Sequence, residues 1–279
     1  MTKRLIVSAD DLGVNVQRSH GIFQCFEEGI VTNASLVCNG ADSVRAARVA
    51  SQKHLPTGLH INLTEEYPLS ARQDIASLVE GSGAFLEHSK LRDALEKRLI
   101  DSAHIEREIR AQVEWFFEHR GMPTHVSSRH HVHIIPEVAH ALLASLERYG
   151  IRFVRIPCEK PLPPWGYIVS EETLASTQAL NAQAEKAREL YQAFGIESTD
   201  HFRGLTLLSN ASRENLRRVI NKLEEGTTEL MVHPGNPITY GTPFDLDPQR
   251  QTELRMLTDP SIFECVNEKG LMLCSFSDL

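Results

Sequence analysis

Residues 4–13 read RLIVSADDLG, and the fold turns on how this stretch is read. The run from Arg4 to Ala9 is short and almost continuously apolar, as in a strand covered on both faces within a parallel sheet. A strand with one wet face would alternate apolar and polar residues instead. The run stops at two adjacent carboxylates, Asp10 and Asp11, which repel each other unless positive charge or a proton lies between them. Asp capping the next helix is the plainer role, and Gly13 suits it equally. Strand ends of parallel α/β proteins are nevertheless where sites are assembled.

Working outward, comparable apolar runs occur at 58–63, 151–156, 229–232 and 271–276, with weaker strand candidates at 34–37 and 125–135. Helical periodicity separates them. Ile105, Ile109, Val113, Phe116 and Phe117 form one apolar stripe over 104–118, which Gly121 and Pro123 close. Residues 137–149, 172–194 and 212–224 read the same way, the last with Asn210 or Ser212 as its N-cap. Strand followed by helix, repeated, predicts a parallel sheet wrapped by helices, either doubly wound or closed as a β/α barrel. No internal repeat or composition break divides the chain, so residues 1–279 are expected to form a single domain. The irregular stretches 64–89 and 157–171 are long enough to be the rim loops of a site.

Composition removes several functions. The chain carries 29 Lys and Arg against 37 Asp and Glu, a net charge of −8, and no basic run that would grip nucleic-acid phosphates. No apolar run approaches the roughly 18 residues of a membrane span, and the first twenty residues lack a signal-peptide core, so a cytoplasmic protein is expected. The five cysteines are scattered without a C-x-x-C pair and read as buried free thiols. There is no P-loop, G-x-S-x-G, H-E-x-x-H or G-x-G-x-x-G motif, which argues against nucleotide and serine-hydrolase chemistry.

The remaining chemistry gathers at strand ends. His60 lies in the run GLHINL, and His233 ends ELMV just before Pro234 and Gly235. The segment 123–136, PTHVSSRHHVHIIP, is denser. Read as extended chain, it places Arg129, His131 and His133 on one face and His130 and Val132 on the other. Carboxylate with imidazole is a donor set for a divalent ion, leaving positions open for water.

In order along the chain, LIVSADDLG, GIVTNASLVCNG, GLHINLTE, PTHVSSRHHVHIIPE, ELMVHPG, LTDPSI and SFSDL resemble the motifs of the YdjC-like carbohydrate deacetylases, which include the chitooligosaccharide deacetylases. The resemblance spans about residues 4–279. It implies a distorted β/α barrel, a homodimer, and metal-dependent removal of N-acetyl groups from amino sugars. It further implies Asp10 as general base, Asp11 and His60 as ligands of a divalent ion such as Mg2+ or Zn2+, and His233 as the acid for the departing amine. Trp165 and Tyr167 could then stack on a sugar ring.

The chain departs from the pattern at one place. Where the family has its third ligand histidine, this sequence has Arg129, which keeps its proton and offers no lone pair. A +1 charge about 5 Å from a +2 ion costs roughly 6–7 kcal/mol at an effective dielectric of 20. Three arrangements follow. His131, or His130 carried round by a bulge, takes the ligand role; Arg129 swings out or grips a substrate group, leaving a weak two-residue metal site filled by waters; or the site holds no metal and the chain is an inactive sugar-binding relative.

Overall fold

A computed structural model describes residues 2–160, 169–208 and 210–279. The opening run becomes β1 (Lys3–Leu12), the centre of a parallel sheet formed with β2 (Asn33–Leu36), β3 (Thr57–Ile61), β4 (Val126–Ser128), β5 (His201–Arg203), β6 (Gly226–Val232) and β7 (Met272–Leu273). The strand order is β4-β3-β2-β1-β6-β5, with β7 pairing with Arg4 and Leu5 at the start of β1. Lys3–Ala9 of β1 run in register with Gly226–Val232 of β6, and Ser8 and Ala9 pair with Asn33 and Ala34 of β2. Beyond β4, bridges from Val126 to Val154 and from Phe153 to Glu197 carry the pairing on, so the sheet curls into a half-barrel. The fully buried Leu5, Ile6 and Val7 explain the unbroken apolar run, because neither face of β1 meets water.

Helices fill the crossovers: α1 (Val16–Glu28), α2 (Ser43–Gln52), α3 (His88–Glu96), α4 (Ser102–Arg120), α5 (Pro136–Tyr149), α6 (Glu171–Ala193), α7 (Arg213–Asn221), α8 (Pro243–Leu246), α9 (Gln249–Leu257) and α10 (Pro260–Glu268). α4 buries Ile105, Ile109, Val113 and Phe116 as its stripe predicts, and the Asp101 side chain accepts from the Ala103 N–H at its start. Ser212, not Asn210, caps α7 by accepting from the Asn215 N–H. Among the described residues no helix is long and apolar enough to cross a membrane, and all five cysteines are buried and free.

Three strand expectations change. The run at 151–156 supplies isolated bridges rather than a full strand, and 271–276 contracts to Met272–Leu273. The third change shapes the site. Extended chain over 125–135 holds only through Ser128, after which Arg129–Ile134 form tight helical turns broken at His130 (φ 50°) and His131 (φ 54°). The cause is Ser128, whose Oγ accepts from the His133 N–H at 3.0 Å and lies 2.6 Å from its Nδ1, pulling the chain back on itself. The two-residue alternation of side chains is therefore lost over this stretch. Trp165 and Tyr167 lie outside the described residues.

Candidate active site

Successive residues of a strand point to opposite faces, so Asp10 and Asp11 would ordinarily part. Here the register of β1 against β2 shifts between Ala9 and Leu12, and Asp11 adopts φ 69°. This bulge turns Asp11 toward the side on which Asp10 lies, and both line one cavity of about 290 Å³. His60 from β3, Arg129 and His131 after β4, and His233 after β6 line the same cavity. These residues and His130, all singled out in the sequence, meet at the C-terminal ends of four strands. His133 does not join them. Its ring is fixed between Ser128 and the Arg155 carbonyl, a structural role in the core.

Each acidic group has a cationic partner. Arg155 holds Asp10 through both carboxylate oxygens, with Nη2 2.8 Å from Oδ1 and Nη1 against Oδ2, and its Nη2 also reaches Glu229 Oε1 at 2.7 Å. Burial pushes the Asp10 carboxyl up most strongly, but the charge and hydrogen bonds of Arg155 together with His60 and His233 outweigh it and hold the group well below the usual carboxylate range. Asp11 accepts from Arg129 Nη1 at 2.8 Å, with Arg18 Nη1 3.9 Å away. Burial is again overcome, by Arg129 and Arg18, and Asp11 also stays ionised. The other arm of Arg129 pairs with Glu65. Arg18 is itself steadied by Asp245 at 2.8 Å and by the His233 carbonyl at 3.0 Å.

The imidazoles are neutral by the same physics. Burial lowers His60 to about 4 and His233 to about 3, against the upward pull of Asp10 and Asp11. Ser127 Oγ lies 2.7 Å from His60 Nδ1 and orients the ring, leaving Nε2 3.8 Å from Asp11 and 4.0 Å from Asp10. His233 Nε2 lies 3.9 Å from Asp10 Oδ2, near enough for one water to touch both, while its Nδ1 is buried without a partner. Phe244 meets the His233 ring edge-on at 5.2 Å. His131 is also held neutral by burial and has a buried, unpartnered Nδ1. His130 turns to Thr64 Oγ1 at 2.8 Å and stacks on His88.

A divalent ion needs several lone pairs converging on one point. Asp11 and His60 supply two donors, but Arg129 already occupies Asp11 with an N–H. Among the described residues no three His, Cys, Asp or Glu side chains are gathered so as to hold a metal ion. The set expected from the sequence, Asp11 and His60 with His131 or His130, shares the cavity without forming such a group. These residues do not fit a bound divalent ion.

Sequence reading missed Arg155, Arg18, Glu65 and Glu229. Arg155 and Glu229 carried a usable signal, since each is a charge embedded in an apolar strand-like run, where it must find a partner. A roomier cavity of about 490 Å³ opens between α3, α5 and α6 beside Arg92, Ile135 and Leu190, but none of Asp10, His60 or His233 reaches it. Its size does not make it the reactive site.

Carboxylates and imidazoles from separate strands thus converge on the C-terminal rim of a parallel β/α half-barrel, the face on which barrels of this class assemble their sites. The chain belongs to the YdjC-like family, whose model matches residues 4–268. It is 33% identical to a carbohydrate deacetylase of Homo sapiens over 99% of this chain and 91% of that protein. It is 30% identical to a chitooligosaccharide deacetylase of Yersinia enterocolitica over 100% of both chains. A crystal structure from Enterococcus faecalis V583, described as a candidate cellobiose-phosphate cleavage protein, matches with a TM-score of 0.81 over 100% of this chain and 99% of its own. At 23% identity that likeness is one of fold.

Proposed function

We propose that the chain hydrolyses the N-acetyl group of an amino sugar or a short N-acetylglucosamine-containing oligosaccharide. The observation that carries this reading is the Asp10–His233 pair, a fixed anion and a neutral imidazole 3.9 Å apart on one cavity. Amide hydrolysis needs a proton taken from water and a proton given to a poor leaving group. Asp10, immobilised by Arg155, receives the proton of the attacking water and passes it to His233, whose imidazole has the higher proton affinity. The resulting imidazolium, steadied by the Asp10 anion, protonates the departing nitrogen. The names of the relatives support the sugar substrate.

A second reading is a sugar-binding relative without turnover. The Arg129–Asp11 contact favours it, because it closes the carboxylate expected to hold the ion. Acetate release from a panel of N-acetylglucosamine oligomers separates the two. The hydrolase reading predicts one acetate for each free amine formed, and oligomer binding by calorimetry without acetate would establish the second. The homodimer expected from the family resemblance is part of this proposal, and light scattering on the purified chain checks it.

A further inference from the structure

Arg129 is the least expected side chain in the cavity and among the most firmly held. It is 6% exposed and forked between two carboxylates, Asp11 through Nη1 and Glu65 through Nη2. Its Nε–H is buried and has no acceptor. A buried donor without an acceptor is unfavourable, so Arg129 keeps one uncommitted N–H beside the cavity that it lines. The guanidinium thus takes up Asp11, brings permanent positive charge to the cavity and keeps a free donor.

We propose that Arg129 is the resident cation of this site, performing with N–H groups what a divalent ion would do with its charge. The substrate in this scheme rests on the deacetylase reading above, whereas the assignment of the cation does not. When the water oxygen bonds to the amide carbon, the carbonyl π pair moves onto oxygen, and Arg129 donates to the anion that forms there. The water proton leaves to Asp10 and reaches His233. Collapse breaks the C–N bond as that proton goes to nitrogen, giving a free amine and acetic acid, which gives up the second water proton to solvent or to the amine and leaves as acetate. No oxidant, reductant or further reactant is required. A fixed donor aimed at developing charge is worth roughly 10²–10³ in rate.

The test pairs a binding readout with an activity readout on the full chain. Zinc chloride is titrated by calorimetry into the chelator-treated protein, into Arg129→His and into His60→Ala, with melting curves to confirm that each is folded. The proposal expects no zinc uptake that depends on His60 in the unmodified chain, and one such ion in Arg129→His. It expects acetate release to persist within twofold in EDTA and to fall about 10²-fold in Arg129→Lys, which keeps the charge but loses the fork. One zinc ion on the unmodified chain that His60→Ala abolishes would overturn it, as would acetate release that EDTA stops. No acetate from either protein under any condition would defeat the deacetylase reading, while the titration still decides the cation.

Discussion

His233 shows what burial does to a single proton. An exposed histidine titrates near 6.5, but this one is lowered to about 3, so it enters the reaction as a base. The profile of kcat/KM, which reports the free enzyme, is therefore expected to stay flat from pH 8 to pH 5. An acid limb near pH 6.5 in a stopped assay of acetate release would show that His233 titrates as an exposed imidazole does, not at the lowered value. Asp10 contributes no limb in that range, because Arg155 keeps it ionised far below it.

The strands and turns that aim these side chains were legible to different degrees. β1, β3 and β6 could be read from their apolar runs, and α4, α5, α6 and α7 from their periodicity, because these elements bury what their sequence displays. The bulge at Asp11 could not be read so, since it comes from pairing with β2, residues 33–36, which the strand itself does not encode. The turn after Ser128 was likewise hidden in a side chain bonding five residues ahead, and the charge network in arginines drawn from distant elements. Gly58 is a case where close packing explains a residue within its element. A Cβ there would lie 2.2 Å from the His125 ring, which touches Ser35 and stacks on Phe276. Gly58→Ala is expected to destabilise the protein by about 3 kcal/mol, read as a lowered urea midpoint, because backbone and ring cannot both stay in place. A midpoint unchanged from the parent would mean that β3 and β4 part without cost.

For the molecule as a whole, the buried neutral histidines set the response to acid. His60, His133 and His233 bind their protons only near pH 4, 3 and 3 when folded, whereas the unfolded chain binds them near 6.5. Above pH 6.5 both states are neutral at these sites and stability is independent of them. As pH falls through that value the unfolded chain gains protons the folded chain refuses, and each histidine removes up to about 1.4 kcal/mol per pH unit. Asp10 and Asp11, whose folded carboxyls are depressed, add to the loss below about pH 4. Melting temperatures measured from pH 7.5 to 5 are expected to drop on the order of 5–10 °C. A constant value would contradict the neutral, buried rings.

The Arg155 cluster ties the barrel together in a further way. It joins Asp10 of β1, Glu229 of β6 and the backbone that bridges β4, so three parts of the ring meet at one guanidinium. A strand displaced by one residue sends its carboxylate to the opposite face. Arg155 would then be enclosed with one of its two carboxylates missing and buried N–H groups left unmade, a fault that costs about 1–3 kcal/mol for each. The cluster thus works as a checksum on assembly: only the closure in which β1 and β6 both count their residues correctly satisfies it.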